Sequence, residues 1–157
     1  MQKITTFLWF DDQAEEAAAF YTTLFPNSRI TGITRYGEAG PGPAGSVMTV
    51  GFELDGRAYT ALNGGPEFHF TEAISLQVAC EDQREVDELW AALTADGGEP
   101  GPCGWLKDRY GLSWQITPRV LLDLVADEDR AKASRVMAAM LRMQKIEIEP
   151  LLAAAEG

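Results

Sequence analysis

The chain has 157 residues, 46% of them hydrophobic, and a formal net charge of −11 at pH 7. That is enough apolar material for a buried core, so a disordered or fibrous chain is excluded, and the excess of acid excludes a phosphate-binding nucleic-acid surface. No stretch approaches the roughly 20 apolar residues of a membrane span, the opening MQKITTFLWFDDQ meets acid too early for a signal peptide, and the two cysteines, Cys80 and Cys103, lack a metal-type spacing, so a soluble cytoplasmic protein without disulfides is expected.

Ile4–Phe10 alternates in character and is rich in Ile, Thr, Phe and Trp, which predicts a strand. Asp11 or Asp12 can cap a helix after it, and Glu15 stands three residues beyond Asp12, as a capping box requires. Ala14, Ala17, Ala18, Tyr21 and Leu24 then form an apolar stripe at helical spacing, ended by Pro26-Asn27. Ser28–Tyr36 reads as a strand, Gly37–Gly45 as a loop and Ser46–Leu54 as a strand. Asp55-Gly56 is a strong hairpin signal, and Arg57–Asn63 is the returning strand. Gly64-Gly65-Pro66 ends it, and Glu67–Glu72 is a crossover. This half reads βαβββ.

The second half repeats the pattern. Ile74–Cys80 is a strand, Asp82–Thr94 a helix stopped by Asp96-Gly97-Gly98, and Glu99–Pro102 a short, poor strand. Gly104–Lys107 and Leu112–Thr117 are strands about the turn Arg109-Tyr110-Gly111. A shift of 70 positions lays Ile74 on Ile4, Ser75 on Thr5, Asp82 on Asp12, Glu85 on Glu15 and Trp90 on Phe20. That period is too long for a solenoid and marks two copies of one module. Beyond Pro118 strand signals cease. Val120–Val125 is apolar, Glu128–Met143 favours helix with Asp127 as cap, and Pro150–Ala155 adds a turn or two.

The fold class is therefore α+β: one domain over residues 1–157, built of a first module (1–66), a second module (73–118) and a C-terminal helical extension (119–157). One face of each sheet takes its helix, and the two remaining faces are expected to enclose a small-molecule cavity. Alternation along the strands gives an expected lining of Thr5, Phe7 and Trp9, then Ala61 and Asn63, then Ser75, Gln77 and Ala79, then Ser113, Gln115 and Thr117. The opposite phase, including Leu8, Leu76, Val78 and Trp114, should face the helices. The lining is aromatic and neutral-polar. Buried amides and hydroxyls need partners, which makes Asn63, Ser75, Gln77 and Gln115 pocket candidates, with Trp9 and Trp105 as walls.

Four segments together resemble the vicinal-oxygen-chelate superfamily, the family of glyoxalase I, extradiol dioxygenases and fosfomycin-resistance proteins. They are FLWFDDQAEEAAAFY (7–21), LNGGPEFHFTEAISLQVACEDQREVDELW (62–90), CGWLKDRYGLSWQITP (103–118) and DRAKASRVMAAMLRMQKIEI (129–148). The nearer likeness is to its PhnB-like subgroup, labelled 3-demethylubiquinone-9 3-methyltransferase-like. The resemblance implies a glyoxalase-like fold and pairing of modules across a homodimer. It also implies that the positions holding a divalent ion in superfamily enzymes are here Thr5, Ala61 or Asn63, Ser75 and Gln115. None of these is a normal transition-metal ligand, so no metal is expected.

Other chemistry finds little support in the residues. His69, the single histidine, lies in a crossover between Phe68 and Phe70, and one histidine cannot supply a zinc site. No glycine-rich GxGxG turn follows a strand to hold a methyl donor's nucleotide. Cys80 precedes Glu81 and Asp82, whose charges oppose ionisation while a helix N-terminus favours it; Cys103, beside Trp105, has no nearby histidine. Both thiols read as structural, with Cys103 also at the pocket wall. The Met-rich face of the tail, including Val136, Met137, Met140, Leu141 and Met143, should cover a sheet edge or join a second chain. The functional expectation is metal-independent small-molecule binding, by Thr5, Phe7, Trp9, Asn63, Ser75, Gln77, Cys103, Trp105 and Gln115, with no cofactor and no nucleic-acid or membrane partner. The alternatives are a superfamily lyase, isomerase or methyltransferase-type enzyme, or a ligand-sequestering dimer.

Overall fold

In the computed structural model, which describes residues 2–157, the chain divides into two compact units. The first ends at Phe70 and the second runs Thr71–Gly157. The first unit contains β1 (Thr6–Phe10), α1 (Ala14–Leu24), β2 (Arg29–Arg35), β3 (Val47–Leu54) and β4 (Arg57–Asn63). Its sheet has the order β1-β4-β3-β2, with β1 parallel to β4 and the other pairs antiparallel. The β3–β4 turn places Asp55 at φ 49° and Gly56 at φ 77°, the two positive values that a type I′ hairpin needs. Leu8, Phe10, Val50, Phe52 and Ala61 are buried on the face toward the Ala14, Ala17, Ala18 and Tyr21 stripe of α1.

Two expectations are corrected here. The register pairs Leu8 with Ala61 and Phe10 with Asn63. Residues paired across parallel strands point the same way, so Ala61 and Asn63 lie on the α1 side, while Thr60 and Leu62 accompany Phe7 and Trp9. The expected lining was one residue out of phase on this strand. The helix cap also differs. α1 follows Gln13, which makes no side-chain cap bond. The Ala14 N–H donates instead to Asn63 Oδ1 at 2.8 Å, and the Asn63 amide donates to the Val47 carbonyl at 3.1 Å. Because β4 lies beside β1, Asn63 arrives at the start of the helix and does there what Asp11 or Asp12 was expected to do.

The second unit contains β5 (Ser75–Cys80), α2 (Gln83–Thr94), β6 (Glu99–Pro100), β7 (Trp105–Lys107) and β8 (Ser113–Pro118). The order β5-β8-β7-β6, with β5 parallel to β8, repeats the first sheet. Here the aspartate does cap: Asp82 accepts from the Glu85 N–H at 2.9 Å, and the Glu85 carboxylate accepts from the Glu81 N–H at 2.9 Å. By register, Leu76, Val78, Cys80, Leu106, Trp114 and Ile116 share one face. The buried Val86, Leu89 and Leu93 of α2 pack on that side.

The tail forms α3 (Arg119–Val125), α4 (Arg130–Met140) and α5 (Ile148–Glu156), joined by a core of Leu121, Val136, Ile146 and Leu151. α4 is capped by Asp129, which accepts from the Lys132 N–H at 3.1 Å, and the expected cap Asp127 accepts from the Asp129 N–H at 2.8 Å. The tail docks within its own unit. The Gln83 side chain donates to the Ile146 carbonyl at 2.9 Å and accepts from the Ile148 N–H at 2.7 Å. The Cys103 and Gly104 N–H groups donate to the carbonyls of Met143 and Gln144, each at 2.8 Å. Among the described residues no helix is long and apolar enough to cross a membrane.

Candidate functional site

The open face of the second sheet carries the chemistry. Ser75, Gln77 and Ala79 on β5 align with Ser113, Gln115 and Thr117 on β8. Trp105 and Lys107 on β7 pair with Gln115 and Ser113. Two devices set this register. At the β7–β8 turn the buried Asp108 carboxylate accepts from the Tyr110 N–H at 2.9 Å, the Leu112 N–H at 3.1 Å and the Trp114 indole N–H at 2.9 Å. At the β6–β7 turn Cys103 and Gly104 take φ of 59° and 83° while their N–H groups hold the tail. A Cβ on Gly104 would meet the Ile116 carbonyl and the Ile146 side chain at 3.0 Å each, so a glycine is required where tail, turn and β8 converge.

Three of the anticipated residues meet in a hydrogen-bonded row. The Gln77 amide donates to Gln115 Oε1 at 3.3 Å, and the Gln115 amide donates to Ser75 Oγ at 2.9 Å. Beside them lies a cavity of about 460 Å³. Cys103 and Trp105 line it, as does Ser113 of the expected lining; Glu72, Glu99 and Lys107 line it as well and were not anticipated. Ser113 is 2% exposed, and its hydroxyl has no hydrogen-bond partner among the described residues. Its place in the phase of Ser75 and Gln115 was the signal available in the sequence. Lys107 is ion-paired with Glu72. That bond raises the ammonium's pKa above its ordinary value and lowers the carboxyl's.

In the first unit Thr5 precedes β1 and is exposed, as is Phe7 on the open face. The Trp9 indole N–H donates to the Gly65 carbonyl at 2.9 Å, and its ring meets Phe68 edge-on at 4.9 Å. Asn63 lies at the edge of a second cavity, of about 450 Å³, together with Asp11, Asp12, Glu15 and Tyr36. Its amide is committed at both ends, to Ala14 and Val47. His69 is exposed. Cys80 is fully buried on the helix side of its sheet, and burial, then Glu85, Asp82 and Glu81, push its thiol up to about 12. The opposing influences at this cysteine resolve against reactivity.

The profile of the 3-demethylubiquinone-9 3-methyltransferase family matches residues 2–117. The chain belongs to this family. The PhnB protein from Bacillus cereus is 42% identical, with 74% of this chain and 99% of that one covered at a TM-score of 0.66. Protein PA1353 from Pseudomonas aeruginosa is 19% identical over 75% of this chain and 98% of its own, at a TM-score of 0.61. The genomically encoded fosfomycin resistance protein FosX from Listeria monocytogenes shares the fold at 16% identity, over 78% of this chain and 94% of that chain, with a TM-score of 0.53. No curated protein matches the chain. Membership of the 3-demethylubiquinone-9 3-methyltransferase family, with PhnB and FosX as structural neighbours, makes this a vicinal-oxygen-chelate protein with the glyoxalase-like α+β fold.

Metal-binding members of that superfamily imply a divalent ion, and the donors here do not fit one. Asn63 and Gln115 are neutral amides already bonded to protein groups, Ser75 is bonded to Gln115, and Thr5 lies outside the strand. Neutral amides and hydroxyls hold transition ions poorly. Among the described residues no group of three or more His, Cys, Asp and Glu could hold a metal. The family's name implies a methyl donor as well. The one glycine pair after a strand, Gly64-Gly65, serves packing: a Cβ on Gly64 would meet the Trp9 ring at 2.4 Å.

Proposed function

We propose that this chain is a metal-independent small-molecule binding protein, and that its binding site is the open face of the second sheet. The observation that supports the reading is the cavity of about 460 Å³ at this face, walled by Trp105 and Cys103. The Ser75–Gln115–Gln77 row then supplies neutral donors and acceptors along the same face. The proposal includes a homodimer, because Ile4, Phe7 and Phe68 of the first unit are 88%, 60% and 58% exposed and suit cover by a second copy.

The test is a thermal-shift screen of planar compounds on the full chain, repeated by fluorescence on the wild type and on Trp105→Phe. Saturable stabilisation, with a fluorescence change that W105F loses, is the expected result. A flat response to the whole panel overturns the binding site, and stoichiometric zinc, nickel, manganese or iron retained after dialysis overturns the metal-independent part.

A further inference from the structure

The cavity wall contains a strained residue that the tail holds in place; what this does for a ligand rests on the binding site proposed above. Cys103 stands at φ 59° on the β6–β7 turn and lines the cavity. That left-handed conformation is uphill for a residue with a Cβ and persists only where the surroundings enforce it. The turn's own bonds run from the Gly101 N–H to the Trp105 carbonyl at 2.8 Å and from the Trp105 N–H to the Pro102 carbonyl at 3.0 Å. They leave the Cys103 and Gly104 N–H groups to the tail, where the Met143 and Gln144 carbonyls accept them.

Those two acceptors lie between α4 and α5, where the chain has no regular structure, so its backbone groups must be paired from outside. The N-terminal half of α2 does this. Gln83 uses its whole amide: Nε2 donates to the Ile146 carbonyl at 2.9 Å and to Asp87 Oδ1 at 3.0 Å, and Oε1 accepts from the Ile148 N–H at 2.7 Å. Asp87 also pairs with Lys145 Nζ at 2.8 Å. Ile146 between them is fully buried and lies against Gly104. Residues 143–148 are thus gripped by α2 on one side and by the cavity turn on the other.

We propose that residues 143–148 brace the cavity and that Gln83 is the positioning residue that sets the brace. By holding this segment on α2, Gln83 keeps the Met143 and Gln144 carbonyls where Cys103 and Gly104 need them. That keeps the Cys103 wall in the shape that admits a flat apolar ligand beside Trp105. The brace lies beyond residue 117, where the family profile ends, so this chain shapes a cavity of the shared module with residues that the profile does not include.

The experiment compares the full-length wild type with Gln83→Met, which keeps the side chain's length and removes its hydrogen bonds. Amide exchange is followed by NMR at Cys103, Gly104 and Leu112, the last bonded to Asp108 and outside the brace. Gln83→Met is expected to speed exchange at Cys103 and Gly104 at least tenfold and to leave Leu112 within twofold. Alkylation of the Cys103 thiol by iodoacetamide should quicken at least fivefold, while the fully buried Cys80 stays unmodified. Naphthalene, titrated as the cavity probe by shifts of the Trp105 amide, should bind at least threefold more weakly. Lys145→Met should repeat the pattern, so the result does not hang on one variant. Arg135→Met, which breaks bonds from α4 to the Ala154 and Ala155 carbonyls of α5, should leave every readout within twofold. Equal acceleration at all three amides assigns Gln83 to general stability and overturns the brace, as do unchanged Cys103 and Gly104 amides. Selective acceleration with an unchanged naphthalene affinity overturns the link between brace and cavity. Naphthalene that moves no cavity amide in the wild type overturns the binding site proposed above, and the exchange and alkylation rates still decide the brace.

Discussion

At the scale of single residues, the second unit contrasts a satisfied buried polar group with an unsatisfied one. Asp108 offers its carboxylate to three donors and fastens the β7–β8 turn. Asp108→Asn keeps the size but replaces one acceptor oxygen by a donor, so a buried N–H loses its partner. The variant should lose about 2 kcal/mol in urea unfolding, in the range for an orphaned buried group. Ser113 behaves oppositely, since its hydroxyl has no partner to lose. Ser113→Ala should raise stability by about 1 kcal/mol in the same measurement; a lower stability would mean that the hydroxyl has a partner. Cys80 adds a pH dependence. Its folded pKa is raised to about 12 from an ordinary 9.0, chiefly by burial. Above pH 9 the unfolded thiol ionises while the folded thiol stays protonated, so stability is fully present below that point and falls as pH rises toward 12. The fall is about 1.4 kcal/mol per pH unit from this group. Comparing wild type with Cys80→Ala across that range isolates it, and identical slopes would remove the thiol from the account.

At the scale of elements, the two modules show how far a repeated sequence carries a repeated structure. Strand order, helix placement and the parallel β1–β4 and β5–β8 pairs all recur; alternation and helical spacing made the element order of each module legible, whereas the order of strands in the sheets depends on pairings between distant segments. The caps do not recur, although Asp12 and Asp82 occupy matching positions. Asp82 bonds the Glu85 N–H, whereas in the first module the helix start is bonded by Asn63 from a distant strand. That difference is non-local: it depends on where β4 ends relative to α1, which periodicity does not encode. The same register moved Asn63 off the face of Phe7 and Trp9. On β8 the phase was readable, because Trp114 and Ile116 mark the helix side and leave Ser113 and Gln115 on the other. The orphaned state of Ser113 was not readable, since it is a property of three-dimensional packing. Asp82→Ala should cost about 1 kcal/mol of stability, and Asp12→Ala should stay within about 0.5 kcal/mol, as surface changes do. Chemical denaturation of the pair checks this, and equal losses would restore the symmetric capping.

At the scale of the whole molecule, two quantities act on assembly in opposite directions. The first unit exposes Ile4, Phe7 and Phe68, and apolar area removed from water favours association at about 25 cal/mol per Å². Each chain also carries a net charge of −11, so two copies repel at long range. Apolar contact is short-ranged and insensitive to modest salt, whereas repulsion decays over a Debye length of about 10 Å at 0.1 M salt and about 30 Å at 0.01 M. The homodimer proposed here should therefore strengthen as salt rises from low to physiological concentration, the reverse of an assembly held by ion pairs. Light scattering at micromolar protein should give about twice the 17.2 kDa chain mass at physiological salt, and a lower average at low salt. Phe7→Glu puts a further negative charge into the apolar patch and should yield the single-chain mass at both salt concentrations. A wild-type mass of one chain throughout, or a dimer indifferent to Phe7→Glu, would exclude this face as the contact and leave Phe7 and Phe68 as solvent-facing aromatics.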